Sequence, residues 1–178
     1  MLPSNSNSST KPLRTPPRAI FKTYYDSPVG QLTLAATERG LCGLYFEVHK
    51  YFSGGADWTH APLQTHLAAT MAQLDDYFAG RLRRFSLPLD LAGTAFQSTV
   101  WQRLIEVDYG CTTSYAVHAK QSGTPQAVRA VGTAIGRNPV SIVVPCHRVI
   151  GSNGALSGYA GGLERKRYLL ALEQRAAY

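Results

Sequence analysis

The sequence predicts an α+β protein of two small domains, a small antiparallel sheet with a helix followed by a mostly helical unit. Strand-like alternation fills residues 20–48, whereas apolar residues recur at helical spacing in most later segments. A chain of 178 residues with 44% hydrophobic content can bury one good core or two small ones. We predict the boundary at the Ala92-Gly93 junction, which gives domains at 19–91 and 92–178.

Residues 1–18 are predicted to form a disordered basic tail. They are rich in Ser, Asn, Pro and Thr and contain three Lys/Arg and no acidic residue. They also lack the apolar stretch that a secretory signal requires.

The N-terminal domain begins with a predicted antiparallel meander. Its three strands, separated by turns, are residues 21–25, residues 32–36 and residues 41–48. Cys42 falls in the apolar third strand, where we expect an inert core thiol.

A helix is then predicted over residues 61–79, ended by Gly80. Its apolar stripe, at helical spacing, consists of Leu63, Leu67, Met71, Leu74 and Phe78. Residues 81–90 contain Pro88 and read as an extended segment.

The second domain opens with Thr94 and Gln97 in capping-box spacing, which predicts a helix that ends at Tyr109-Gly110. A short helix is expected after Thr113 or Ser114.

Thr124-Pro125 then has the pattern of an N-cap and first helical residue. These two short helices have the outline of a helix-turn-helix, but tight packing through Ala and Gly explains the small residues equally well. A last helix, residues 163–174, is expected to carry Leu163, Leu170 and Glu173 along one face.

The net charge of +7 is unevenly distributed along the chain. Residues 92–178 contain nine Lys/Arg and four Asp/Glu, whereas residues 19–91 contain six and seven. This excess of positive charge favours a polyanion such as nucleic acid as the partner, although a basic protein that merely stays soluble is the competing interpretation.

Cysteine usage and hydropathy exclude several classes of protein. Three cysteines at wide spacing argue against a disulfide framework and predict a reducing, intracellular setting. Cys42 and the scattered His49, His60 and His66 have no zinc-site spacing, so we expect no metal. No segment approaches the roughly 20 apolar residues of a membrane span, so a soluble protein is expected.

The most informative segment is the run from Ile142 to Gly151, in which Cys146 is followed by His147 and Arg148. A free thiol with a pKa near ~8.5 is only slightly ionised at pH 7, and a neighbouring imidazole or cation lowers that pKa. The pattern therefore predicts an activated thiolate nucleophile. Because adjacent strand residues point to opposite faces, direct pairing of Cys146 with His147 requires a turn, which Pro145 favours.

An ordered set of residues resembles the O6-alkylguanine-DNA alkyltransferases over residues 94–174 and, more weakly, at the turn of residues 27–30. The set comprises Tyr115, Arg129-Ala130-Val131-Gly132, Asn138-Pro139, Pro145-Cys146-His147-Arg148-Val149, Gly158-Tyr159-Ala160-Gly161-Gly162 and Glu173. The resemblance implies a ribonuclease H-like first domain and a winged helix-turn-helix-like second domain.

The resemblance also implies a reaction, in which the alkyl group of O6-alkylguanine, and in some cases of O4-alkylthymine, in double-stranded DNA passes irreversibly to the protein's cysteine. No cofactor is implied. A monomer that binds DNA, with or without cooperativity between copies, is expected in the cytoplasm, or in the nucleus if the source is eukaryotic.

The resemblance assigns roles to the reacting residues. Cys146 would be the nucleophile, with His147 acting through a water as its base and Glu173 orienting that imidazole. Tyr115 would donate a hydrogen bond to the extruded guanine.

The remaining roles concern DNA and the base pocket. Arg129 would fill the gap left by the flipped nucleotide, on a helix whose Ala130 and Gly132 also face DNA. The base pocket and the turn that supports it would be formed by Asn138, Val149 through its carbonyl group, Tyr159 and Ala160.

Three alternatives stand beside this hypothesis. A lesion-binding protein of the same fold would flip bases without reacting, but such relatives lack the cysteine. A cysteine hydrolase would draw its histidine from a distant segment. A DNA-binding regulator would be indifferent to replacement of Cys146.

Overall fold

The computed structural model describes residues 18–176. The predicted tail therefore lies outside the described residues, except for Arg18. The guanidinium group of Arg18 pairs with the Asp90 carboxylate and donates to the Asp90 carbonyl oxygen at 3.0 Å.

A four-stranded sheet with the order β3-β2-β1-β4 forms the N-terminal part. Its strands are β1 (Phe21–Ser27), β2 (Gly30–Ala36), β3 (Leu41–Phe46) and β4 (Thr59–His60). The first three pair antiparallel and confirm the predicted meander, whereas β4 pairs parallel to β1. A two-residue strand has too few positions to show alternation, so β4 was not predicted. Cys42 lies in β3 but is only half-buried, because the core face of that strand is occupied by its neighbours.

Helix α1 (Thr65–Phe78) packs on this sheet. It begins after Gln64, whose side-chain oxygen accepts hydrogen bonds from the amides of His66 and Leu67. The predicted start at residue 61 was therefore too early, and Leu63 lies before the helix with 91% of its surface exposed. Leu67, Leu74 and Tyr77 are fully buried.

The C-terminal part is mostly helical, which confirms the α+β class. Its helices are α2 (Ala95–Ile105), α3 (Tyr115–Gln121), α4 (Val128–Gly136) and α5 (Leu163–Ala176), and a short parallel ladder joins β5 (Thr113–Ser114) to β6 (Val149–Ile150). The Thr94/Gln97 capping box and the Ser114 N-cap are both present. Helix α2 ends four residues before the predicted stop, with Glu106 as its C-cap.

Two expectations about these helices were wrong. Helix α4 begins after Ala127 rather than at Thr124, because the Thr124 amide bonds back to Ala119 and closes the turn after α3. On α5, Leu163 is exposed, whereas Lys166, Leu169 and Glu173 form the buried face.

The segment before Cys146, residues 139–142, is held to the sheet by backbone hydrogen bonds. The Leu44 amide of β3 donates to the Pro139 carbonyl at 2.9 Å, and the Ser141 amide donates to the Leu44 carbonyl at 3.0 Å. Ile142 follows with φ of 70°, a left-handed conformation that β-branched residues rarely adopt. Within residues 18–176, no helix combines the length and apolar character needed to cross a membrane.

Candidate active site

A cavity of about 530 Å³ opens between α4, the 157–160 loop and a loop of the N-terminal part. It brings together seven of the predicted site residues: Tyr115, Arg129, Gly132, Asn138, Cys146, Tyr159 and Ala160. Lys50 and Tyr51, which the sequence did not single out, contribute a wall from the N-terminal part. The cavity is therefore built by both halves of the chain.

Cys146 lies in this cavity with 6% of its surface exposed. Residues Cys146–Arg148 form a single 3₁₀ turn after Pro145, so the turn that the sequence required is present. The side-chain amide of Asn138 donates to Sγ at 3.1 Å and to the Val144 carbonyl oxygen at 2.7 Å. A buried amide donor aimed at sulfur stabilises a thiolate.

The resting thiol nevertheless has a raised pKa. Burial raises the pKa of Cys146, while the Asn138 hydrogen bond and the positive charge of Lys166 oppose that effect. The expected activation by Arg148 is wrong, because its guanidinium group pairs with Glu173 instead. Cys146 consequently needs a base to remove its proton.

His147 is fully buried, and its two ring nitrogens lie in different surroundings. Its Nε2 lies 2.7 Å from Oε1 of Glu173, which fixes the neutral ring as the Nε2–H tautomer. Its Nδ1 is buried and has no hydrogen-bond partner among the described residues. Burial lowers the pKa of His147, so the ring is neutral and able to accept a proton.

Glu173 is the centre of a buried network. Arg148 donates to both carboxylate oxygens at 2.9 Å, and the Gly110 amide donates to Oε2 at 3.2 Å. The Tyr77 hydroxyl donates to Oε1 at 2.8 Å. Hydrogen bonds and charge from His147 and Arg148 hold the pKa of this carboxyl well below its usual range, against the opposing effect of burial.

Lys166 is a further buried charge, which the sequence did not single out. Its ammonium group donates to the carbonyl oxygens of Val149 at 2.6 Å and Ser157 at 2.9 Å. Burial lowers the pKa of Lys166 to about 8. Val149 is buried and outside the cavity lining, so its predicted contact with a guanine needs the second lone pair of that carbonyl oxygen.

Two tyrosines and a close loop shape the rest of the cavity. The Tyr115 hydroxyl donates to the Ser157 carbonyl at 3.0 Å, so donation to a bound base requires the hydroxyl to exchange this acceptor for an acceptor atom of the base. The Tyr159 ring packs edge-on against Phe46 of β3. At Gly161, any side chain would collide with the Phe46 ring, which explains how closely this loop approaches the sheet.

Helix α4 presents an exposed face next to the cavity. Arg129 and Ala130 lie on that face, whereas Val131 and Ala134 are buried. The Trp101 indole donates to the Ala134 carbonyl at 2.8 Å and holds α4 against α2. Small residues therefore serve packing on one side while Arg129, which pairs with no acidic side chain of residues 18–176, is free to contact a ligand.

In the part of the chain that the structure describes, no cluster of His, Cys, Asp and Glu is arranged to hold a metal ion.

Two family models match the chain. One, described as the DNA binding domain of 6-O-methylguanine DNA methyltransferase, covers residues 95–175. The other, described as the ribonuclease-like domain of the same protein, covers residues 20–91.

Relatives with the name methylated-DNA–protein-cysteine methyltransferase align over most of their length. The protein from Mycolicibacterium paratuberculosis is 50% identical over 84% of this chain and 90% of its own. The protein from Methanosarcina barkeri is 47% identical over 85% and 97%, and that from Haemophilus influenzae is 41% identical over 88% and 87%.

A solved structure shares the fold. The Mycobacterium tuberculosis OGT in complex with DNA superposes with a TM-score of 0.82 at 46% identity, over 88% of this chain and 94% of the other.

Proposed function

This chain belongs to the 6-O-methylguanine DNA methyltransferase family, and from that membership we infer that it is a DNA repair protein that transfers the alkyl group of O6-alkylguanine to its own cysteine. Cys146 is our assignment for the acceptor. The observation that carries it is the position of Sγ in a cavity beside α4, with the Asn138 amide at 3.1 Å.

The first step is ionisation of the thiol. His147 takes the Cys146 proton at Nδ1, through a water, because its Nε2–H is committed to Glu173. The Glu173 carboxylate stabilises the imidazolium that results. The Asn138 amide and the Lys166 ammonium then stabilise the thiolate.

In the second step the thiolate attacks the alkyl carbon. A C–S bond forms as the C–O6 bond breaks, and the electron pair of that bond goes to the guanine. The guanine becomes neutral by taking up a proton from solvent, and the His147 imidazolium returns its proton to solvent. Tyr115 supports this departure by donating a hydrogen bond to the base. The product thioether is a poor leaving group and no second acceptor lies in the cavity, so each molecule reacts once.

The base must leave the DNA stack to reach the sulfur. We assign Arg129 to the gap left in the duplex, because it lies on the exposed face of α4 and also lines the cavity. Ala130 and Gly132 allow α4 to approach the DNA closely. We place the reaction in the compartment that holds the DNA, the cytoplasm of a bacterial cell or the nucleus of a eukaryotic one, and we assign a monomer as the reacting species.

Mass spectrometry of the reacted protein tests the acceptor. Incubation with an oligonucleotide that contains O6-methylguanine should add one methyl group to the peptide with Cys146. The peptide with Cys111, an exposed thiol, is the internal control and should keep its mass. An unchanged Cys146 peptide would support the lesion-binding alternative instead.

Arg129→Ala should slow repair in duplex DNA but spare reaction with the free base O6-benzylguanine. If Arg129 contributes about 1.4 kcal/mol to holding the extruded state, repair of DNA falls about tenfold. Single-turnover rates on both substrates measure the difference. The matched control is Arg103→Ala, which removes an exposed helix arginine that pairs with Glu106. Equal losses on the two substrates would contradict the role of Arg129.

A further inference from the structure

Tyr77 connects the N-terminal part of the chain to the catalytic carboxylate. It lies on α1 and donates its hydroxyl to Oε1 of Glu173 at 2.8 Å, the same oxygen that faces Nε2 of His147 at 2.7 Å. Every other hydrogen-bond donor to that carboxylate within residues 18–176 comes from the C-terminal part. We propose that Tyr77 is a positioning residue for alkyl transfer, whose hydroxyl holds Glu173 in the orientation that sets the basicity of His147.

Burial and ring packing keep the Tyr77 hydroxyl on its Glu173 partner. Tyr77 and Glu173 are both fully buried, so water cannot replace either partner. The Tyr77 ring is fixed by the rings of Phe78, Phe85 and Tyr109, whose centroids lie 5.3 to 6.0 Å away. A rigid donor from the N-terminal part therefore meets Oε1 of the carboxylate.

The proposal rests on the proposed function and predicts a direction of change. Without the Tyr77 hydrogen bond, the negative charge on Oε1 interacts more strongly with the His147 ring. This stabilises the imidazolium form and raises the pKa of His147. A base that stays protonated to higher pH is less available near neutrality. The charged and titratable groups that surround this pair are Arg148 and Lys166 from the active site, Tyr109 and Tyr159 from adjoining loops, and Arg83 near Tyr109.

Tyr77→Phe in the full chain removes only the hydroxyl. We expect single-turnover methyl transfer about fivefold slower at pH 7, part of the roughly 10²–10⁴-fold that a general base contributes, with the acidic limb of the pH profile displaced to higher pH. In a Glu173→Gln background the same change should add no further loss. A profile that overlays the unsubstituted protein, or an equal loss in both backgrounds, would overturn the proposal.

Tyr25→Phe is the matched control. Tyr25 also donates to a carboxylate, Asp75 at 2.7 Å, and its ring stacks on Phe78, but it has no contact with Glu173. Its pH profile should overlay that of the unsubstituted protein, and a displacement equal to that of Tyr77→Phe would refute the specific role.

A second variant retains the hydroxyl, so that folding is preserved. Replacement of Tyr77 by 3-fluorotyrosine makes the phenol a stronger donor and should displace the titration of His147 to lower pH, the reverse of Tyr77→Phe. Nitrogen-15 NMR of the His147 ring measures this without catalysis, so it tests Tyr77 even if methyl transfer to Cys146 fails. An unmoved His147 titration in the fluorinated protein would overturn the proposal.

Discussion

Asn138→Asp should slow alkyl transfer by about 10²-fold, the usual cost of removing a donor that stabilises a developing anion. The substitution keeps the shape of the side chain but replaces the amide donor 3.1 Å from Cys146 Sγ with an acceptor. The Asn138 hydrogen bond is the largest influence that lowers the pKa of Cys146, so its loss raises that pKa further. Single-turnover transfer rates and the pH dependence of Cys146 alkylation by iodoacetamide measure both effects.

The control for this substitution is Asn153→Asp. Asn153 is exposed and its side-chain oxygen accepts from the Ala155 amide at 3.1 Å, a bond that aspartate preserves. Its transfer rate should match that of the unsubstituted protein. If Asn138→Asp reacted as fast as Asn153→Asp, the amide would have no role in stabilising the thiolate.

Glu173→Gln should lower the free energy of unfolding at pH 7 by about 3–5 kcal/mol, because it leaves a buried arginine without its counter-charge. Arg148 is 6% exposed and pairs with Glu173 through two hydrogen bonds of 2.9 Å. The glutamine amide also brings a donor to a site that already holds donors from His147 and Tyr77. Urea unfolding at several pH values measures the change.

The pH dependence of that stability has a defined sign. The folded pKa of Glu173 is depressed, so its contribution is present above the ordinary glutamate pKa of about 4.3 and is lost as the pH falls below it. The difference between the two proteins should therefore shrink on acidification. Glu164→Gln, on the exposed face of the same helix and paired with Arg167, should change stability by less than about 0.5 kcal/mol. Similar losses in both variants would show that the buried network is not responsible.

Local patterns in the sequence were sufficient to predict the elements that depend on residues close together in the chain. The Thr94/Gln97 capping box and the alternation of β1 to β3 are formed by residues close in the chain, and both were predicted correctly. Thr124-Pro125 also has a cap pattern, but a hydrogen bond to Ala119 places it in the preceding turn. A local motif thus fails where a competing turn uses the same backbone groups.

Residues of the site could be predicted where they belong to the ordered set that resembles the alkyltransferase family. Cys146, Asn138 and Tyr115 do line one cavity, but their partners could not be read from spacing. Neither Lys166 nor Tyr77 was predicted as a residue of the site. Tyr77 acquires its partner only when distant segments meet, since 96 residues separate it from Glu173.

The left-handed conformation of Ile142 makes the sulfur's position dependent on a distant anchor. Such a conformation costs about 1–3 kcal/mol and persists only where its surroundings impose it. Here the anchor is Leu44, whose backbone forms two hydrogen bonds with residues 139 and 141. These bonds hold the segment that contains Ile142 in place, four residues before Cys146. If the sheet released this segment, its backbone would relax and move Cys146 Sγ away from the Asn138 amide. The N-terminal sheet therefore stabilises the position of a nucleophile that belongs to the C-terminal part of the chain.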